Sequence, residues 1–116
     1  MYSIAFLWVG DDTTIPCCLV NSIRLVMGNS VEIIQLTDQK TPLVLGVTSV
    51  QRLDLSPLIM VARLQAYSQV KASEKFTFFC DADSLFISPL ALHFEDADIL
   101  LSKRIEDGWL NDQYPE

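Results

Sequence analysis

Short, nearly continuous apolar runs alternate along this chain with segments of helical periodicity, and this alternation constrains the fold more than any other feature. The clearest run is Phe76–Cys80 (FTFFC), and Ser3–Val9 (SIAFLWV) and Val31–Leu36 (VEIIQL) are of the same kind. Strands that are apolar on both faces are typical of a parallel sheet covered by helices on both sides. The order strand, helix, strand, repeated once, predicts an α/β domain with a mostly parallel, mixed sheet.

Two segments carry helix signals. Ile15–Met27 follows a cap at Thr13 or Thr14, and its apolar residues spread widely enough to predict burial on more than one side. A second helix is predicted from Ser56–Pro57 to about residue 71, because a cap followed by proline is a helix start. Shorter strands are predicted at Val50–Leu53 and Ala97–Leu101.

Size and charge exclude several classes of protein. The 116 residues fit one domain, residues 1–116, with a net charge of -7 and scattered basic residues. A chain without a basic stripe is not expected to bind nucleic acid. No apolar run reaches the ~18 residues of a membrane span. The mean hydropathy of +0.29 is high for a short chain, and it indicates either an unusually rich core or apolar surface for a partner or a second copy.

The cysteines indicate the compartment. The chain has an odd number of cysteines, Cys17, Cys18 and Cys80. They lie in apolar runs and do not have the CxxC spacing. This pattern does not support a zinc site. It predicts buried, reduced thiols in a cytoplasmic protein.

The sharpest chemical feature is Asp81-Ala82-Asp83, directly after the best strand. In an extended segment, side chains two residues apart point the same way, so the two carboxylates would converge beyond the end of the strand. Ligands of open α/β sheets bind beyond those ends. Converging carboxylates need a proton or a cation, and Mg²⁺ or Mn²⁺ shared with substrate phosphates is the usual solution. The alternative is a solvated acidic loop.

Three further residues join this candidate site. Arg63 lies at the centre of an apolar arc of the second helix. Its guanidinium therefore needs an anionic partner, which could be one of the two aspartates or a ligand phosphate. The alternative is that the side chain extends to water. Asp11 and Asp38 follow the first two strands, where a carboxylate can accept hydrogen bonds from a base or ribose. Ordinary turn roles are the alternative for both.

Taken together, these residues resemble the nucleotide-sugar domain of GT-A type glycosyltransferases, in the retaining galactosyltransferase- and glycogenin-like group. The similarity lies in IAFLWVGDD, in RLQAY and in FTFFCDADSLFI. It implies a Rossmann-like nucleotide-binding half in which Asp81 and Asp83 hold Mn²⁺ or Mg²⁺ on the diphosphate of a UDP-sugar. It also implies that Arg63 and Ala82 contact the donor.

The resemblance covers the donor-binding part only. Enzymes of this group continue well beyond the motif, with acceptor-binding segments and a later metal ligand, commonly histidine. Here few residues follow Asp83, and His93 is too close to the motif to match that ligand. The chain is therefore expected to be a truncated glycosyltransferase-like domain, incomplete for catalysis.

Two other functions stay open. Haloacid-dehalogenase-like phosphatases also place two aspartates after an apolar strand, as nucleophile and as acid/base, and Asp81 and Asp83 would fill those roles. That family needs a later lysine and further acidic residues, and its motif usually opens the domain. The other alternative is a non-catalytic homodimeric or partner-binding module derived from a donor domain.

Overall fold

A computed structural model describes residues 2–72 and 76–89. They form a small α/β fold, which confirms the predicted class. In chain order the elements are β1 (Tyr2–Leu7), α1 (Thr14–Met27), β2 (Glu32–Thr37), β3 (Ser49–Arg52), α2 (Ile59–Gln69) and β4 (Phe76–Phe79). The predicted strand Ala97–Leu101 and His93 lie outside the described residues.

The four strands form one sheet in the order β3-β2-β1-β4. Every pairing among these strands is parallel, so the described sheet is not mixed. The central strand β1 pairs with β2 on one side and β4 on the other, and Ile4 lies opposite Ile33 and Phe78. Because β1 is covered on both edges and both faces, Ile4, Ala5 and Phe6 are fully buried.

The helices cover opposite faces of the sheet. Ile4 and Phe6 share one apolar cluster with Ile23 of α1. Ala5, between them in sequence, belongs instead to a cluster with Ala66 of α2. This division follows from the alternation of side chains along a strand. It explains why the strands are apolar at nearly every position.

Helix α1 is buried along one side only, which corrects the broader burial predicted for it. Leu25 is 86% exposed, and Cys18 is also exposed. Fewer residues of α1 are buried than are apolar, because only one stripe of a helix can contact a sheet. The buried residues lie on that stripe. They are Pro16, Leu19, Val20 and Ile23.

The start of α1 also differs from the prediction. Neither threonine caps the helix with its side chain; instead Asp12 Oδ1 accepts hydrogen bonds from the backbone N and Oγ1 of Thr14 at 2.9 and 2.6 Å. These bonds lower the pKa of Asp12. Helix α2 begins at Ile59, later than predicted, because the backbone N of Leu58 donates to Ser56 Oγ just outside it.

The connection from β2 to β3 is held by a buried amide. Gln35 Nε2 donates to the Pro42 carbonyl at 2.9 Å, and Gln35 Oε1 accepts from the backbone N of Val44 at 2.8 Å. Just before Pro42 in the same loop, Thr41 Oγ1 accepts from the backbone N of Gly10 at 3.0 Å. The loop therefore connects the buried face of β2 to the segment that follows β1.

No helix in the part of the chain that the structure describes has the length and apolar character to cross a membrane.

Candidate functional site

A pocket lies where the sheet topology reverses. From the carboxyl end of β1 the chain turns to β2 on one side, while β4 lies on the other side of β1. In open α/β sheets, such a switch point leaves a crevice beyond the carboxyl ends of the strands. A pocket of about 360 Å³ occupies this place. It is lined by Leu7, Trp8, Val9, Ile15, Ile59, Arg63, Tyr67, Cys80, Asp81, Ala82 and Asp83.

The two aspartates reach the pocket on a turn, not on an extended strand. Pairing of β4 with β1 continues to Cys80, whose backbone N donates to the Ala5 carbonyl at 3.1 Å. The chain then turns, and the backbone N of Ser84 donates to the Asp81 carbonyl at 3.1 Å. The extended geometry predicted for this triplet is therefore wrong. The turn nevertheless leaves both Asp81 and Asp83 exposed at the same pocket.

Ala82 anchors this turn. Its side chain is only 8% exposed and belongs to the apolar cluster on the α1 side of the sheet. Farther along, Phe86 packs on the same cluster, and its backbone N donates to Ser22 Oγ of α1 at 2.9 Å. Two contacts with the core, one inside the turn and one after it, thus hold the aspartates at the rim.

Arg63 meets the first of these aspartates. Its Nη2 lies 3.9 Å from Asp81 Oδ1, and the side chains are 41% and 64% exposed. The sequence left open an acidic partner, a ligand phosphate or extension into water for Arg63, and the structure places Asp81 beside a guanidinium that stays partly exposed. Such an exposed pair is worth less than about 1 kcal/mol because water screens it.

An aromatic and a thiol complete the charged side of the pocket, and neither was predicted as a site residue. Tyr67 stacks on Phe79 with ring centroids 4.2 Å apart. Burial raises the pKa of Tyr67, while the Arg63 charge lowers it and the Asp81 charge raises it. Burial, then the Asp81 charge, raises the pKa of Cys80 to about 12, so this thiol is protonated at neutral pH. Two features of the sequence could have identified them as site residues: Tyr67 lies on the same helix as Arg63, and Cys80 directly precedes Asp81.

The remaining candidates do not reach this pocket. Asp38 Oδ1 accepts from the backbone N of Thr41 at 2.7 Å and of Lys40 at 3.1 Å. Hydrogen bonds from Thr41 are the main cause that lowers the pKa of Asp38. Asp11 is exposed and is not among the lining residues. The structure thus brings together Asp81, Ala82, Asp83 and Arg63, and leaves Asp11 and Asp38 outside.

The donor atoms of the pocket suit a cation that is shared with a ligand. Within residues 2–72 and 76–89, no three His, Cys, Asp or Glu side chains gather as a complete metal site. Mg²⁺ is commonly held by one or two carboxylates together with water and substrate phosphates, not by a protein cage. The exposed carboxylates of Asp81 and Asp83 fit that arrangement.

Comparisons with protein-family models, with curated proteins and with solved structures find no match for this chain. Its fold and site define an α/β protein with an acidic pocket beyond the carboxyl ends of the parallel strands β1 and β4.

Proposed function

We propose that this chain is the donor-binding part of a GT-A-like glycosyltransferase, with a Rossmann-like half that binds a UDP-sugar through Mn²⁺ or Mg²⁺ at Asp81 and Asp83. One observation carries the proposal: both carboxylates and the guanidinium of Arg63 line a single pocket at the switch point of a parallel sheet. The resemblance of the strand and its Asp-Ala-Asp to that family agrees with this location.

The charges of the pocket suit a diphosphate. A diphosphate would be repelled by the two carboxylates alone, so they require a divalent cation between them and the ligand. The cation, when bound, stabilises the leaving nucleoside diphosphate as its bond to the sugar breaks. Arg63 supplies a guanidinium that can bind phosphate oxygens with two parallel hydrogen bonds.

The other walls suit the rest of such a ligand. Trp8, Ile15 and Tyr67 give the pocket aromatic and apolar surface beside its charged rim. Small-molecule sites combine mostly apolar walls with a few polar groups, and their volumes are on the order of 300–1,000 Å³. The volume of about 360 Å³ lies within that range.

Calorimetry with UDP and Mn²⁺ tests the proposal. Wild type is expected to bind UDP only when Mn²⁺ is present, and Asp81→Asn or Asp83→Asn should weaken binding by roughly tenfold or more, because each loses a charged ligand. Asp54→Asn is the matched control, since Asp54 is exposed and lies outside the pocket.

Two results would contradict this function. One is the absence of Mn²⁺-dependent UDP binding in wild type; the other is an equal loss in the Asp54 control. Hydrolysis of p-nitrophenyl phosphate that disappears in Asp81→Asn would favour the phosphatase instead.

A second candidate is a non-catalytic module that associates through α2. Leu58, Met60 and Leu64 are 67%, 63% and 70% exposed, which is unusual for three large apolar residues on one short segment. Sedimentation velocity tests it. A homodimer that Leu64→Glu converts to a monomer supports the module, and a monomeric wild type argues against self-association.

A further inference from the structure

We propose that Arg63 is a built-in counter-ion that neutralises Asp81 in the empty pocket and must leave it when a divalent cation binds, so that one side chain couples cation binding to phosphate binding. This inference rests on the proposed function of the pocket and adds its regulation.

The contact between Arg63 and Asp81 is close enough for attraction and too weak to lock the pair. Nη2 and Oδ1 are 3.9 Å apart, beyond ordinary hydrogen-bond distance. Both side chains are substantially exposed, so the guanidinium can leave the carboxylate at little cost. The charges of both residues also act on Tyr67, which places all three groups at the same side of the pocket.

The backbone beneath Arg63 is held in place while its head is free. Ala62 and Ala66, on either side of it along α2, are 2% and 0% exposed and seat the helix on the sheet. A long arginine side chain on such a base can change partner without movement of the helix. In a loaded pocket the alternative partner of Arg63 is a phosphate of the ligand, because Arg63 lines the same pocket as the aspartates proposed to hold the ligand's cation.

Electrostatics then sets the direction of the coupling. A cation bound at Asp81 would neutralise this carboxylate in place of Arg63 and would repel the guanidinium. Contact with a diphosphate would then stabilise the displaced guanidinium. Cation binding therefore raises the affinity for the diphosphate, and by linkage the diphosphate raises the affinity for the cation by the same factor.

Mn²⁺ titration followed by the electron paramagnetic resonance signal of free Mn²⁺ tests this without any measurement of activity. In the absence of nucleotide, Arg63→Gln should bind Mn²⁺ on the order of tenfold more tightly than wild type, as expected for removal of a unit charge next to a divalent ion in an exposed site. Lys40→Gln is the control: it removes the same charge from an exposed loop residue outside the pocket, and it should leave the affinity unchanged.

The same variants then receive UDP at saturating Mn²⁺. Arg63→Gln should bind UDP more weakly than wild type, and the factor by which Mn²⁺ raises UDP affinity should be smaller. Arg63→Lys, which keeps the charge, should resemble wild type in Mn²⁺ binding. Circular dichroism of each variant establishes that the fold is retained.

The outcomes separate the two proposals. If wild type binds Mn²⁺ and UDP through the aspartates but Arg63→Gln binds Mn²⁺ no more tightly, the counter-ion role is wrong and the proposed function stands. If neither wild type nor Arg63→Gln binds Mn²⁺, both are wrong. Tighter Mn²⁺ binding by Arg63→Gln that Asp81→Asn abolishes supports both.

Discussion

A side chain at Gly46 would collide with the buried Val20, and Gly46→Ala is expected to destabilise the fold strongly. Its φ is +96°, which L side chains rarely adopt, and a Cβ at this position would lie 2.9 Å from Val20 Cγ1. Val20 is fully buried on the inner side of α1. The Gly46 carbonyl also accepts from Arg24 Nε at 3.0 Å, which resists movement of the loop away from the helix.

Two costs add at this position. An alanine held at positive φ costs roughly 1–3 kcal/mol. Forcing the methyl against the fully buried side chain of Val20 costs typically about 1–3 kcal/mol more. Gly46→Ala is thus expected to lower the free energy of unfolding by about 3 kcal/mol or more. Gly28→Ala shares only the backbone cost, since its φ is +60° and nothing lies within 4 Å of its Cβ position.

Urea unfolding followed by circular dichroism measures these changes, and a double-mutant cycle isolates the steric part. In a Val20→Ala background, Gly46→Ala should cost about 1–3 kcal/mol less, because the opposing methyl is gone. The reasoning is refuted if Val20→Ala leaves the cost of Gly46→Ala unchanged, or if Gly46→Ala is no worse than Gly28→Ala.

Three other predictions concern the buried amide of Gln35 and the partly buried thiol of Cys80. Gln35→Leu should lower the free energy of unfolding in urea by roughly 2–4 kcal/mol, because it leaves the buried backbone N of Val44 and a loop carbonyl unpaired; a loss below about 1 kcal/mol would contradict this. In a Cys17→Ser/Cys18→Ser chain, the rate of Cys80 alkylation by iodoacetamide should keep rising above pH 9, because the pKa of Cys80 is about 12. A plateau of this rate near pH 9 would contradict the prediction. Because the unfolded thiol ionises first as pH rises, the contribution of Cys80 to stability should decline between about pH 9 and pH 12, and Cys80→Ala should remove this decline.

Much of the fold follows from local patterns in the chain. Apolar runs with polar ends predicted five strands. Ala97–Leu101 lies outside the described residues, and each of the other four begins within one residue of its place in the structure. The predicted end of α1 at Met27 is confirmed, and the backbone N of the next residue, Gly28, donates to the Arg24 carbonyl there. Such features are predictable because a helix stop or a buried strand depends on residues that are neighbours in sequence.

The geometry of the site was less predictable. The aspartate pair was identified from its position after β4, but its turn was missed because the burial of Ala82 depends on a core assembled from distant segments. The sequence shows a wide apolar arc on α2, but only Ala62 and Ala66 of this helix are buried. The two small residues seat the helix on the sheet, whereas larger residues of the arc, such as Met60 and Leu64, are exposed.

The sequence by itself determined the order of strands and helices and the polar residues that follow each strand, because these depend on local periodicity and polarity. Only the tertiary structure decided which strand ends meet. Placing β4 beside β1 brings Asp81 to Arg63 and the pocket, while the hydrogen bonds of Asp38 hold it within its own loop. No local pattern encodes that choice, because strand order is set by how the whole sheet buries its two faces.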